Sequence, residues 1–275
     1  MKALLTNDDG IRAPGIRALY GAIRDRFEEL RVVAPMTVQS ATSHGVTFDQ
    51  PLMTREVRFA PDIDPELTGV AVDGRPADCT KLALTNLWPE AHGDGTRPDL
   101  VVSGMNMGAN VGINVIYSGT VAAAIEAAFL GVPAIAVSLH LGKGTADYDA
   151  AARHARNAID AILESGPLDP HACISINVPR CEVEEGDARF EPRPLALCPM
   201  NTHGLVDSYA KRVSPAGGEY YWSTGSGLNF RGADPGTDVE ALFERRITVT
   251  TLKYDMTDHD ALARLRDKMA PARPD

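Results

Sequence analysis

The sequence predicts an α/β fold, a Rossmann-like and mostly parallel sheet flanked by helices. Short apolar runs suit buried strands because they are too short for helices with one buried face; they occupy residues 3–5, 30–34, 100–102 and 134–137. Between the first two runs, Ile16, Leu19, Ile23 and Phe27 recur at helical spacing behind Pro14, which suits a first helical turn. Strand, helix and strand in this order indicate a right-handed βαβ unit with parallel strands.

The remaining elements follow from the same kinds of pattern. Residues 53–59 alternate as a strand with one exposed face, and residues 69–72 form another strand that turns at Asp73 and Gly74. Asp78 is expected to cap the next helix. The Gly/Asn-rich segment 103–112 is expected to be a loop, because Gly and Asn tolerate positive φ. Further predicted elements are helices at 121–130 and 148–163 and a strand at 173–178.

The composition changes after residue 179. Residues 180–238 are rich in Pro, Gly and charged side chains and are expected to form hairpins and loops. The aromatic run 220–222 is expected to pack on the sheet, and the alternative is that it stacks a base. A last strand is predicted at 247–252, and Thr257 with Asp260 is expected to form a capping box for a terminal helix. The chain is therefore expected to be one domain over 1–275, with a core at about 1–179 and a β-hairpin extension and C-terminal arm at about 180–275.

Composition limits the partners. The net charge is −10 over 275 residues, which argues against binding duplex nucleic acid nonspecifically. No apolar run is long enough to span a bilayer and no signal-like segment begins the sequence, so no membrane association is expected. The four cysteines are scattered without a Cys-x-x-Cys pair, which is typical of reduced residues in a cytoplasmic protein.

Two adjacent carboxylates, Asp8 and Asp9, follow the first predicted strand and precede Gly10. Adjacent like charges repel, and a bound divalent cation would remove that conflict. The alternative is that one Asp caps the next helix while the other is solvated. A haloacid-dehalogenase-like phosphatase, which forms an aspartyl-phosphate, is disfavoured because Gly10 stands where its second Asp is required.

Three oxygen-rich segments follow the carboxyl ends of predicted strands, at residues 7–10, 39–44 and 103–110. Ligands of open α/β sheets bind at such ends, so these segments are expected to be neighbours. Their hydroxyl, amide and carboxylate oxygens suit Mg²⁺ or Mn²⁺, or Ca²⁺. Each piece alone has an ordinary alternative: Ser40 as a turn residue, the Gly/Asn segment as a tight loop, and His44 as a solvated side chain instead of an acid or base.

The helix near Thr120 adds an anion site to this prediction, because its first turn would direct free N–H groups at the same edge. Thr120 is a good N-cap whose hydroxyl could instead face phosphate. Gly119 would let phosphate approach the backbone, so Gly119→Val is expected to abolish hydrolysis while metal binding is kept. A cation beside an anion site is typical of phosphoryl chemistry.

Several blocks of the sequence resemble SurE, the stationary-phase survival protein family of metal-dependent 5'/3'-nucleotidases. The matching blocks are LTNDDG at 5–10, APGI at 13–16, VVAP at 32–35, VVSGMNMGAN at 101–110, VIYSGTVAAA at 115–124, INVP at 176–179 and GTD at 236–238. The resemblance implies a Rossmann-like fold with a β-hairpin extension and a C-terminal arm exchanged between subunits. It also implies one divalent metal ion per subunit, held at Asp8, Asp9, Ser40 and Asn106.

The resemblance and the residue patterns together predict a phosphomonoesterase acting on nucleoside 5'- and 3'-monophosphates through attack by a metal-activated water. Asp8, Asp9 and Asn106 are the predicted catalytic residues, and a homodimer or homotetramer is expected. The predicted phosphate-binding residues are Asn7, Ser103, Gly104, Asn110, Ser118, Gly119 and Thr120. The alternatives are a metal-dependent nucleotide sensor without turnover and a phosphatase that acts mainly on polyphosphate.

Three departures from the family pattern bear on substrate preference. QSATS at 39–43 stands where the family usually has RSGAS, so Ala41 replaces a Gly that would lie close to phosphate. Ile113 and Asn114 stand where the family has two acidic residues, and RPADC at 75–79 replaces TPTDC.

Overall fold

The computed structural model of this chain describes residues 1–183, 193–224 and 227–269. The strands are β1 (Lys2–Thr6), β2 (Glu29–Pro35), β3 (Thr54–Arg58), β4 (Thr68–Val72), β5 (Leu100–Met107), β6 (Ala134–Leu139), β7 (Thr145–Ala146), β8 (Cys173–Val178), β9 (Glu182–Val183), β10 (Arg193–Leu197), β11 (Tyr209–Val213), β12 (Glu219–Ser223) and β13 (Arg246–Leu252). The α-helices are α1 (Pro14–Ile23), α2 (Pro76–Leu82), α3 (Trp88–His92), α4 (Gly119–Phe129), α5 (Tyr148–Glu164), α6 (Asp238–Phe243) and α7 (His259–Met269).

Nine of the described strands form one sheet, in the order β10-β13-β8-β6-β5-β1-β2-β4-β3. The centre is parallel throughout: β1 pairs with β2 and with β5, β5 with β6, and β6 with β8. Antiparallel pairing occurs between β3 and β4 and between β13 and β8. The sheet is therefore mostly parallel, as predicted, and the carboxyl ends of its central strands meet at one edge.

Helices cover both faces of this sheet. On one face, α1 and α5 pack Ile16, Leu19 and Ile159 against the central strands. On the other face, α2 and α4 contribute Cys79 and Val121 to a second apolar cluster. The alanine-rich sequence of α4 lets this helix lie close to the sheet, since small side chains permit a short helix–sheet distance. None of the described helices has the length and apolar composition needed to cross a membrane.

Two helix predictions are wrong at their ends. Helix α1 ends at Ile23 and a 3₁₀ turn (Arg24–Arg26) follows, although Phe27 is still buried as its position in the pattern requires. Asp78 does not stand at the N-cap of α2; it lies in the first turn, where its Oδ2 accepts a hydrogen bond of 3.0 Å from the backbone N–H of Arg75. Asp78 still satisfies a free donor at the start of the helix, from inside the helix.

The Gly/Asn-rich segment is not a loop over its whole predicted length, because β5 continues to Met107. Its backbone pairs with β6 in a register that joins Asn106 to Ser138 and Met107 to Leu139. Gly104 allows this pairing at close range: its φ is +142°, and a Cβ there would lie 2.2 Å from the carbonyl oxygen of Val137. The prediction failed because backbone pairing with β6 outweighs the local preference of Gly and Asn for loops.

The C-terminal third contributes more to the core than predicted. Strand β13 is an interior strand of the main sheet, with Ile247 and Val249 buried, so the core extends beyond residue 179 and this strand is not part of a detached arm. Helix α7 follows it with no buried residue. The predicted capping box is absent: the side chain of Asp258, not Thr257, accepts a 2.7 Å bond from the backbone of Ala261.

Strands β11 and β12 form the predicted hairpin in the extension. Its aromatic side chains do not pack on the main sheet, because Tyr220, Tyr221 and Trp222 are 44, 61 and 69 % exposed. The expectations for residues 184–192, 225–226 and 270–275 lie outside the described part of the chain.

Candidate functional site

The carboxylate pair lies in a tight turn at the carboxyl end of β1. The Nδ2 group of Asn7 donates a 2.9 Å hydrogen bond to the carbonyl oxygen of Gly10 and closes this turn. Asp8 and Asp9 are only 5 and 9 % exposed. Burial of adjacent carboxylates is unfavourable unless something compensates their charge.

The first turn of α4 contacts Asp8 directly. The hydroxyl of Thr120 donates to Asp8 Oδ1, and the backbone N–H of Thr120 also bonds to this carboxylate. Burial nevertheless raises the pKa of Asp8 to about 6, and the neighbouring charge of Asp9 acts in the same direction. The helix N-terminus thus binds an anion belonging to the protein itself, the carboxylate of Asp8.

Asp9 is bound by a different element, the end of β5. Its Oδ2 accepts a 2.8 Å hydrogen bond from the backbone N–H of Met107 at the end of β5. Burial raises the pKa of Asp9 too, and this hydrogen bond opposes the effect. Among the described residues, no Lys, Arg or His charge lowers the pKa of Asp8 or Asp9. The pair therefore lacks a protein cation in that part of the chain.

A cavity of about 390 Å³ lies beside Asp8, whereas Asp9 is not among the described residues that line it. Its polar lining includes residues of the three predicted segments and of the start of α4: Asp8, Ser40, Asn106, Asn110 and Ser118. The backbone N–H of Gln39 donates a 2.7 Å bond to the carbonyl oxygen of Asp8, which joins the first two segments. The prediction that the strand-end segments are neighbours in space is thereby confirmed.

The donor set fits a hard divalent cation. The Nδ2 group of Asn106 donates a 2.7 Å bond to the carbonyl oxygen of Gly108, so its Oδ1 is left to face a ligand. Ser40 adds a hydroxyl at the cavity and Asp8 a carboxylate. The described residues contain no cluster of three or more His, Cys, Asp and Glu side chains suited to a metal. Two carboxylates with neutral oxygen donors suit Mg²⁺ or Mn²⁺ better than Zn²⁺.

Several predicted phosphate-binding residues do not line the cavity. Asn7, Ser103 and Thr120 are fully buried, and Gly104 lies within β5 against Val137. These four residues do not line the cavity, so their burial argues against direct contact with phosphate. Ser118, not Thr120, caps α4: its Oγ accepts a 3.1 Å bond from the backbone N–H of Val121.

Gly119 contacts the carboxylate pair instead of open space. A Cβ at this position would lie 2.9 Å from Asp8 Cβ and 3.0 Å from Pro76 Cγ. This packing argues against the expectation that Gly119→Val spares the metal site, since a larger side chain must displace Asp8.

The segment that carries Ser40 bonds extensively to its surroundings. The hydroxyl of Thr42 bonds to the carbonyl oxygen of Gln39, and that of Ser43 to the carbonyl oxygen of Ile116. These two hydroxyls serve backbone groups and do not line the cavity. His44 is not merely solvated, because its Nε2 lies 2.7 Å from Oε2 of the buried Glu126.

Three further features were missed from sequence. Glu126 is a buried carboxylate in the otherwise uncharged helix α4, and that isolated charge was the signal available. Asn177 bonds to the backbone of Asn110 through both Oδ1 and Nδ2, at 2.8 and 3.1 Å. Tyr117, Leu141 and Leu228 add an apolar wall to the cavity. The last two features depend on contacts between segments distant in sequence, which no local pattern reveals.

The mostly parallel sheet, flanked by helices on both faces, defines a Rossmann-like α/β protein, and its buried carboxylates lie at the carboxyl ends of the central strands. Within that class the chain belongs to the SurE family, because the family model described as "Survival protein SurE" matches residues 3–193.

Named relatives support this membership. The chain is 40% identical over 267 residues to "5'-nucleotidase SurE" of Desulforudis audaxviator, which covers 97% of this chain and 96% of the relative. It is 39% identical over 270 residues to the protein of the same name from Desulfovibrio desulfuricans, covering 97 and 98%. The crystal structure of the SurE protein from Aquifex aeolicus matches with a TM-score of 0.78 at 30% identity, covering 98% of this chain and 99% of that chain.

Proposed function

We propose that this protein is a metal-dependent phosphomonoesterase that hydrolyses nucleoside 5'- and 3'-monophosphates to nucleoside and phosphate. The observation that carries the proposal is the buried pair Asp8 and Asp9, which has no protein cation beside it in the described chain. Asp8 also lines a cavity of oxygen donors. The names of the relatives, 5'-nucleotidase SurE, agree with this activity.

Asp8, Asp9, Ser40 and Asn106 would hold one divalent cation, Mg²⁺ or Mn²⁺. When bound, that cation supplies positive charge that stabilises the phosphate and promotes attack by water. Thr120 orients the Asp8 carboxylate, and the backbone N–H of Met107 orients that of Asp9. Asn110 and Ser118 line the cavity and would contact the phosphate oxygens. The proposed ligands would therefore hold the cation against the phosphate, and the residues that line the cavity would position the substrate.

The apolar wall of the cavity would contact the nucleoside. Tyr117 is 51 % exposed and lines the cavity together with Leu141 and Leu228. A base stacked on an aromatic ring contributes roughly 1–3 kcal/mol. Replacing Tyr117 with Ala is therefore expected to lower kcat/KM for AMP by at least about fivefold, while kcat/KM for ribose 5-phosphate changes by less than about twofold. Equal losses on both substrates would show that Tyr117 does not contact the base.

The direct test is a phosphate-release panel of nucleoside 5'- and 3'-monophosphates, each assayed with Mg²⁺, Mn²⁺ and a chelator. Hydrolysis that the chelator abolishes and the cation restores is the expected result. Asp8→Asn serves as the matched negative control, because it removes a proposed ligand at nearly constant volume. Full turnover in excess chelator would refute the metal-dependent mechanism.

The panel also separates two other candidates. A nucleotide sensor would bind nucleotide without releasing phosphate, and it remains under consideration because Ala41 and Asn114, two departures from the family pattern, both line the cavity. A polyphosphate-directed enzyme would release phosphate faster from polyphosphate than from any nucleotide. Adding polyphosphate to the panel tests the second candidate, and an equilibrium measurement of nucleotide binding tests the sensor.

We further propose a cytoplasmic homodimer or homotetramer. The thiols of Cys79, Cys173 and Cys198 are free, which suits a reducing compartment. The exposed helix α7 suits an arm exchanged between subunits. The substrate is a small anion, and neither a nucleic acid duplex nor a membrane is a proposed partner.

A further inference from the structure

The turn that carries Ser40 is held in a strained conformation. Ala41 and Ser43 have φ values of +56° and +52°, in the left-handed region that non-glycine residues avoid. Each such residue costs roughly 1–2 kcal/mol. A turn with this cost persists only if surrounding contacts determine its shape. The contacts that do so also determine where the Ser40 hydroxyl lies.

Backbone contacts hold this turn at its two ends. The N–H of Gln39 bonds to the carbonyl oxygen of Asp8, and the N–H of Ser43 bonds at 3.1 Å to that of Tyr117. Beyond the turn, Thr47 bonds to Asp78 through its backbone and its hydroxyl, both at 2.8 Å. Between Ser43 and Thr47, the contact that joins the segment to α4 is made by a side chain, that of His44.

His44 contacts a partner whose burial makes the contact costly to lose. Its Nε2 lies 2.7 Å from Oε2 of Glu126, and Glu126 is 4 % exposed. The second carboxylate oxygen, Oε1, lies 3.5 Å from Nζ of the half-exposed Lys81 and has no hydrogen-bond partner among the described residues. Loss of the His44 contact would leave the buried carboxylate without a close hydrogen-bond donor and would destabilise the folded protein, so the contact is costly to break.

His44 and Asp8 contact the same helix, α4. Thr120, at the start of α4, bonds to the Asp8 carboxylate, and Glu126 lies on that helix and bonds to His44. Helix α4 thus holds both sides of the cavity at once, Asp8 through its first turn and the Ser40 turn through Glu126. A rigid helix keeps these two attachments at a fixed separation.

We propose that His44 is a positioning residue for the cation site: by bonding to Glu126 it holds the strained turn against α4 and so places Ser40 opposite Asp8. This inference rests on the proposed metal-dependent function. It assigns no proton transfer to His44. The role is that of an outer partner of a metal ligand, and loss of such partners typically lowers metal affinity by about 10–100-fold.

The test is calorimetric titration of Mg²⁺ and of Mn²⁺ into wild-type and His44→Ala proteins without nucleotide. His44→Ala is expected to weaken cation binding by about 10–100-fold. His44→Gln, which keeps an N–H donor of similar reach, is expected to recover most of the affinity. Glu126→Gln keeps an acceptor for His44 and is expected to bind the cation within about threefold of wild type.

A matched control exists at the opposite edge of the sheet. His92 Nε2 lies 2.8 Å from Oε2 of Glu29 near the start of β2, so His92→Ala removes the same kind of contact far from the cavity. His92→Ala is expected to lower the melting temperature without changing cation affinity. A purely structural role of His44 would give the same pattern as His92, so the two variants separate stability from positioning.

The outcomes are distinct. A wild-type protein that binds neither cation overturns both the proposed function and this inference. A wild-type protein that binds the cation, together with a His44→Ala protein that binds it equally tightly, overturns this inference alone. If His44→Ala does not fold, Glu126→Leu breaks the same contact while filling the buried volume, and unchanged cation affinity in that protein overturns the inference.

Discussion

At the residue scale, the free-energy cost of placing a buried carboxylate in the site follows from the pKa of Asp8. Its pKa rises from 3.8 to about 6, mainly because burial disfavours the charged carboxylate. Since the folded pKa is the higher one, the ionised form destabilises the folded protein. The penalty is absent below about pH 4, grows between pH 4 and 6, and is complete above pH 6, where it is about 3 kcal/mol. A bound cation removes this penalty by favouring the ionised form.

The first prediction concerns Asp8→Asn. Without divalent cations at pH 7, the free energy of unfolding of this variant is expected to exceed that of wild type by up to about 3 kcal/mol, so the variant is the more stable protein. The difference should vanish towards pH 4. The hydroxyl of Thr120 can still donate to the amide oxygen. With saturating Mg²⁺ the order should reverse, because only wild type binds the cation tightly. Urea unfolding at several pH values, with and without Mg²⁺, measures both effects. An Asn variant that Mg²⁺ stabilises as much as wild type contradicts the assignment of Asp8 as a ligand.

The second prediction concerns Ala41, a non-glycine residue with a φ of +56°. Ala41→Gly removes a steric cost of roughly 1–2 kcal/mol and adds a smaller entropic cost, so we expect a net stabilisation of about 1 kcal/mol. Ala161→Gly, on an exposed position of the regular helix α5, should instead destabilise by about 1 kcal/mol. Denaturant unfolding of both variants gives the comparison. Destabilisation of similar size in both would show that Ala41 is not strained.

At the scale of elements, the positions of the buried strands were predictable from the sequence, but the point at which β5 ends was not. The central strands β1, β2 and β6 are apolar because both faces of a parallel sheet are covered by helices, and this produces runs visible in the sequence. Strand β5 continues through polar residues to Met107 because its backbone pairs with β6. Such pairing depends on a strand distant in sequence, so local composition predicted a loop.

The same reasoning explains which parts of the site were predictable. Asp8 and Ser40 follow β1 and β2, and Asn106 lies near the carboxyl end of β5. The rule that ligands bind at the carboxyl ends of strands was enough to predict that these three residues are neighbours. The contacts that orient the two carboxylates come from other elements: Thr120 of α4 bonds to Asp8, and the backbone N–H of Met107 bonds to Asp9. Hydrogen bonds of this kind require known distances between elements, which a single sequence does not provide.

The third prediction belongs to the junction between α4 and β1. Gly119→Ala places a Cβ about 3 Å from the Asp8 side chain, so the carboxylate must move. We expect Mg²⁺ affinity to fall by at least about tenfold in a folded protein, measured by calorimetric titration and checked by circular dichroism. Gly204→Ala is the control, since a Cβ there has no neighbour within 4 Å and should change neither affinity nor stability. Wild-type affinity in Gly119→Ala would mean that Asp8 tolerates displacement and is not a ligand.

At the scale of the whole molecule, two described elements lack the burial that normally stabilises them. Helix α7 has eleven residues and none is buried, although helices of this length are marginal in water on their own. The hairpin of β11 and β12 exposes Tyr221 and Trp222, and an isolated two-stranded hairpin is also marginal. Both elements would gain stability by burying their apolar side chains against a second copy of the chain.

The last prediction tests which of the two elements joins the subunits. The full chain is expected to be a dimer or tetramer at micromolar concentration in light scattering. Removing residues from 256 onward deletes Met256 and α7 but leaves the nine-stranded sheet complete, since β13 ends at Leu252. If α7 is the exchanged arm, the shortened protein should keep its circular dichroism spectrum and dissociate into smaller species. Tyr221→Ser with Trp222→Ser removes the apolar surface of the hairpin and tests the alternative interface. If the shortened protein keeps the number of subunits of the full chain while the hairpin variant dissociates, the interface belongs to the hairpin. A full chain that is monomeric rules out both interfaces.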